Sequence, residues 1–81
     1  MHSFRVRMND DEETLFVKLK KACWAQALIV KGDSYSGIIT GPAKGRYVIG
    51  DGYVDLEFTK KPWVITWKGV EIRIRSGFAQ V

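Results

Sequence analysis

RYVIGDGYVDLEF, residues 46–58, reads as two short strands folded on one another, and its register decides how the rest of the chain must pack. Asp51-Gly52 is a dipeptide that two-residue hairpins favour, and the flanking runs alternate in polarity as strands with one buried face do. Asp51 and Gly52 at the centre of a type I′ turn pair Gly50 with Tyr53, Ile49 with Val54, Tyr47 with Leu56 and Arg46 with Glu57. Tyr47, Ile49, Val54, Leu56 and Phe58 then share one face. Arg46, Val48, Asp55 and Glu57 share the other, where Arg46 and Glu57 make a favourable cross-strand pair. A slip of one residue would turn all five apolar side chains outward, so hydrophobic pattern and turn chemistry select the same register.

Toward the N-terminus, Phe4, Val6 and Met8 alternate with Arg5 and Arg7, which predicts a strand over residues 3–8. Asn9 followed by Glu12 has the form of a capping box, and the acids Asp10 to Glu13 suit the positive end of a helix. That helix is expected to run to about Leu28. Its core face holds Leu15, Phe16, Leu19, Ala22, Cys23, Gln26 and Ala27. Val17, Trp24 and Leu28 lie together on the opposite face, bordered by Lys18, Lys20 and Lys21. Gly32-Asp33 breaks the chain, Tyr35–Thr40 reads as a strand with Gly37 as a weak point or bulge, and Gly41-Pro42 turns into the hairpin.

The tail reads two ways. A turn at Lys68-Gly69 would put Trp63, Ile65, Trp67, Val70, Ile72 and Ile74 on one face of a hairpin. A helix would align Trp63, Trp67, Val70, Ile74 and Phe78 and pair Glu71 with Arg75, although Gly69 would cost about 1 kcal/mol relative to Ala. Periodicity leaves both open.

The chain of 81 residues, 46% hydrophobic and without linkers or repeats, reads as one domain over 1–81 with enough apolar material for a core of its own. A net charge of +4 favours anionic partners, but the 13 basic residues are scattered among nine acidic ones. Cys23 is the single cysteine, which points to a reducing compartment. MHSFRVRMNDDEE has no apolar stretch of a signal peptide, and the aliphatic run Ala27–Val30 falls far short of the roughly 20 residues of a membrane span. The expectation is a soluble cytoplasmic protein.

Signs of chemistry are sparse. GPAKG lacks the Lys-Ser/Thr pair of a phosphate loop and reads as turns. Asp55 and Glu57 share a strand face about 6–7 Å apart by strand rise, near the spacing of paired-carboxylate hydrolases, but they read as a solvated face with Arg partners. His2 has no ligand partner at metal spacing, and Cys23 falls on the helical core face. No catalytic residue, cofactor or metal is expected. For nucleic acid, the open sheet face would offer Arg5, Arg7 and Arg46, diluted by Asp55 and Glu57, with Tyr53 alone to stack on bases.

Taken in order, FRVRM, the helix from Asp10 to Leu28, GDSYSGIITGPAKG, the hairpin and TKKPW(x3)W(x2)VE(x2)I at 59–74 resemble the polyhydroxyalkanoic acid system family. These are small bacterial proteins associated with polyester storage granules. The resemblance spans Phe4 to Phe78 and implies a C-terminal helix beginning around Trp67. The fold class is then α+β, β-α-β-β-β-α, with an antiparallel sheet and helices packed on one face. It further implies an accessory protein attached to granules or to another protein, and it brings no catalytic residue. The expected working surface is Val17, Trp24 and Leu28 with Lys20 and Lys21, unless a homodimer partner or the C-terminal helix covers it. The alternative is a small basic module that binds RNA or the ribosome.

Overall fold

The hairpin holds the register read from its sequence. In the computed structural model, which describes residues 1–79, β4 (Lys44–Gly50) and β5 (Tyr53–Lys60) pair antiparallel with Gly50 opposite Tyr53, Ile49 opposite Val54, Tyr47 opposite Leu56 and Arg46 opposite Glu57. Tyr47, Ile49, Val54, Leu56 and Phe58 are buried, and Arg46 Nη2 lies 2.7 Å from Glu57 Oε1. The turn itself differs from expectation. Gly52 has φ of +80°, but Asp51 is not among the positive-φ residues, so the two positive values that a type I′ turn requires are absent. The Met8 N–H donates to the Gly52 carbonyl at 3.0 Å, which ties this turn to the end of the first strand.

That first strand, β1 (His2–Arg7), lies one residue earlier than expected and pairs with β5 from His2↔Phe58 to Arg7↔Tyr53. Helix α1 (Glu12–Trp24) follows. Its N-cap is Asp11 rather than Asn9: an Asp11 carboxylate oxygen accepts from the Thr14 N–H at 2.8 Å. The neighbouring Asp10 is engaged by Lys18, 2.8 Å away.

Helix α1 ends four residues before the expected Leu28. The Leu28 N–H donates to the Cys23 carbonyl at 2.8 Å and the Ala27 N–H to the Trp24 carbonyl at 3.0 Å, while Ala27 takes φ of +60°. These are the paired bonds of a Schellman motif, with Ala27 where glycine ordinarily sits. Gln26 and Ala27 therefore leave the helical core face, and Ala27 is exposed.

Past that reversal lies an element the sequence reading lacks. Strand β2 (Ile29–Gly32) pairs antiparallel with β3 (Ser36–Thr40), and β3 pairs with β4. The observed order is β-α-β-β-β-β-α, and the sheet runs β1-β5-β4-β3-β2. The sequence pattern does not mark β2, because it is a four-residue edge strand, half-buried only at Val30. Gly37 is not a bulge: it pairs regularly with Gly32 on one side and Tyr47 on the other. A Cβ at Gly32 would lie 2.6 Å from the Tyr47 hydroxyl oxygen, and one at Gly37 2.7 Å from it. The two glycines make room for that hydroxyl, which donates to the Asp33 carbonyl at 2.8 Å.

The tail is a helix, α2 (Trp67–Ala79). The Gly69 N–H donates to Thr66 Oγ1 at 3.0 Å, so Gly69 sits in a capped first turn, not in the helix interior. Val70, Ile74 and Phe78 join Leu15, Leu19, Ala22 and Cys23 in one core against the inner sheet face. Both helices cover that face. Gly77 lies under α1, where an added Cβ would stand 2.7 Å from Ala22 Cβ.

Candidate partner surface on the first helix

The same spacing that buries Leu15, Leu19, Ala22 and Cys23 turns Val17, Lys20, Lys21 and Trp24 outward, three or four residues apart on the far side of α1. Val17 is 44% exposed and Trp24 75% exposed. Lys20, Lys21, Trp24 and Ala25 line a shallow depression of about 380 Å³. Helix α2 does not cover this stripe. Lys18 is held by Asp10, but among the described residues no carboxylate lies within ion-pair distance of Lys20 or Lys21. Lys20 Nζ instead rests 4.4 Å from the centroid of the Phe16 ring, which is half-buried beside Tyr47.

Leu28 does not belong to the surface. It is 4% exposed and part of the core, because the helix stops at Trp24 and the turn through Ala27 swings the next side chain inward. Projection at 100° per residue loses its meaning past a left-handed residue.

The other residues weighed for chemistry are engaged elsewhere. Burial pushes the Cys23 thiol up to about 12, so it stays protonated and packs as an apolar group. Arg5 Nε and Nη2 donate to Asp55 Oδ1 and Oδ2 at 2.6 and 2.8 Å, and this hydrogen bonding holds the Asp55 carboxyl below its ordinary value. With Glu57 held by Arg46, the two carboxylates each answer to an arginine. The Arg5 guanidinium also covers one face of the Tyr53 ring, 4.0 Å from its centroid, so the aromatic that the sequence offers for base stacking on the open sheet face is already engaged. His2 Nε2 meets Glu71 Oε1 at 2.8 Å, and Glu71 also accepts from Arg75 at 2.8 Å. Among the described residues, no group of three or more His, Cys, Asp or Glu side chains could hold a metal ion.

Another exposed aromatic lies in the connection between β5 and α2. Either reading of the tail puts Trp63 on a shared apolar face, yet it is 90% exposed in the connection before α2, with Val64 67% exposed beside it. Pro62 was the available signal, since a helix or central strand running through Trp63 would have to accommodate it. No helix is long and apolar enough to cross a membrane among the described residues. Comparison with protein-family models, with curated proteins and with solved structures returns no match to this chain.

Proposed function

We propose that the chain is a non-enzymatic binding domain that associates with a protein partner or a storage-granule surface through the stripe Val17, Lys20, Lys21 and Trp24. The observation that supports this reading is Trp24, an indole left 75% exposed at the end of a helix beside Lys20 and Lys21, which have no ion-pair partners among the described residues. A tryptophan carries on the order of 200 Å² of surface. Covering the exposed part at ~25 cal/mol per Å² is worth about 3–4 kcal/mol, a central share of a modest interface. The lysines add steering toward an acidic rim. The granule arm of the proposal rests on the family resemblance; the protein-partner arm rests on the surface alone.

Trp24→Ser tests it. The variant is expected to melt as the parent does and to lose association in pulldowns from the native cell, scored for granule proteins against RNA and ribosomes. A variant that unfolds, or one that still associates, refutes the stripe. Binding that survives Trp24→Ser, falls steeply with salt and vanishes when Lys20 and Lys21 are neutralised would favour nucleic acid, because phosphate contacts release counterions.

A further inference from the structure

A second exposed feature lies in the connection between β5 and α2, residues 61–66, and does not involve the α1 stripe. Its base is tied down on both sides. The Ile65 N–H donates to the Pro62 carbonyl at 3.2 Å, Ile65 packs against the core, and Thr66 caps α2. Its tip is not: Trp63 and Val64 are 90% and 67% exposed.

The charged residues that flank the tip along the chain are basic. Lys60 and Lys61 precede it and Lys68 follows it. Lys44 lies directly opposite Lys60 across the β4–β5 ladder, beyond a register shift at Lys44/Gly45. Like charges in that position destabilise a sheet. Among the described residues, no carboxylate is within ion-pair distance of any of these four lysines. The first turn of α2 carries no acid, in contrast to Glu12 and Glu13 in α1.

From this juxtaposition we propose that the loop is an interfacial anchor for an anionic lipid bilayer, with Trp63 and Val64 entering the headgroup region and Lys44, Lys60, Lys61 and Lys68 meeting lipid phosphates. Tryptophan is suited to the membrane–water boundary, and lysine stems can lie along apolar surface while their ammonium groups reach outward. A surface that is anionic outside and apolar just beneath satisfies the ring of lysines and the tip together. Phosphates of a nucleic acid would satisfy the lysines and leave Val64 without a role. Each lysine near an anionic leaflet is worth roughly a fivefold gain in affinity.

The test is co-sedimentation of the full chain with vesicles of phosphatidylcholine alone and of phosphatidylcholine mixed with phosphatidylglycerol. The chain is expected to bind the mixed vesicles and to be quenched by brominated lipid. Trp63→Ser combined with Val64→Ser should abolish both signals with an unchanged thermal melt, since neither side chain is packed. Lys60→Gln with Lys61→Gln should weaken binding by about 25-fold, two lysines at roughly fivefold each. Trp24→Ser should leave vesicle binding intact, which separates this site from the α1 stripe. The proposal is overturned by failure to bind mixed vesicles, by equal binding to phosphatidylcholine alone, by retention of binding in the Trp63/Val64 variant, or by its loss in Trp24→Ser alone. Binding of the lysine cluster to an RNA oligonucleotide with no vesicle binding would overturn it in favour of nucleic acid.

Discussion

Ala27 is the residue at which local preference and tertiary need conflict. A left-handed conformation costs an L-residue roughly 1–2 kcal/mol, and the position is the one that glycine usually fills at a helix end. Ala27 is held there because Leu28, the next residue, reaches the core beside Cys23, and the two paired backbone bonds close the helix. Replacing Ala27 with Gly relieves the strain but adds backbone entropy to the unfolded chain. The first effect is the larger, so Ala27→Gly is expected to stabilise by about 0.5–1 kcal/mol, a rise in Tm of roughly 4 °C for a domain of this size. Differential scanning calorimetry decides it; a lower Tm would mean that the Ala27 methyl makes contacts outweighing its strain.

At the scale of elements, the contact between α1 and α2 depends on two small residues. A Cβ at Gly77 would stand 2.7 Å from Ala22 Cβ and 2.8 Å from Ala22 Cα, atoms that cannot rotate aside. Alanine in place of glycine ordinarily favours a helix by about 1 kcal/mol, but overpacking against fixed atoms costs about 1–3 kcal/mol. The steric effect should win, because relief requires moving a whole helix off Ile74 and Phe78. Gly77→Ala is therefore expected to lower the urea midpoint, and an unchanged or raised midpoint would show that the last turn of α2 yields freely. Strand β2 illustrates the same dependence on a neighbour. Its pairing places Gly32 against Gly37 beneath the Tyr47 hydroxyl, so what looks like a weak point in the sequence is a fitted site in the sheet.

For the whole molecule, the two sheet faces divide the labour. One is sealed by both helices; the other is wet and held by the Arg5–Asp55 and Arg46–Glu57 pairs. The charge pattern predicts the response to pH. Hydrogen bonds from Arg5 hold Asp55 below its ordinary 3.8, and those from Arg75 and then His2 hold Glu71 below 4.5. Asp11 and Asp33 are lowered by the backbone N–H groups they accept from. Groups depressed in the folded state stabilise it above the unfolded pKa and lose that contribution as pH falls through the folded one. Stability should therefore be intact above about pH 4.5 and decline below it, gently, because these carboxylates are solvent-screened. Cys23 acts in the opposite sense. Raised from 9.0 to about 12, it leaves stability whole below 9 and erodes it as pH climbs toward 12. Urea melts across pH should show both limbs. Asp55→Asn should flatten the acid limb and Cys23→Ala the alkaline one, and a limb unaltered by its substitution would assign it to other groups.

Features that rest on short-range pattern are legible along the chain. Alternation around Asp51-Gly52 was enough for the β4–β5 register, because only one register buries Tyr47, Ile49, Val54, Leu56 and Phe58 together. The 3.6-residue period was enough for the inner face of α1 and for the outward Val17, Lys20, Lys21 and Trp24, and i,i+4 spacing for Glu71–Arg75. Periodicity alone left the tail open between helix and hairpin. Packing of Val70, Ile74 and Phe78 on α1 and the sheet goes with the helix. Where α1 stops depends on long-range packing, since Leu28 finds the core only once the chain reverses through Ala27. Tertiary structure makes β2 a strand, because an edge segment of four residues takes its hydrogen bonds from β3. It also leaves Trp63 in water, because the chain from β5 must turn at Pro62 to bring α2 over the sheet, and the turn carries its side chain away from the face that Val70 enters. The division has one physical cause. Faces follow from periods of two or 3.6 residues, whereas ends and reversals are set by contacts between residues far apart in the chain.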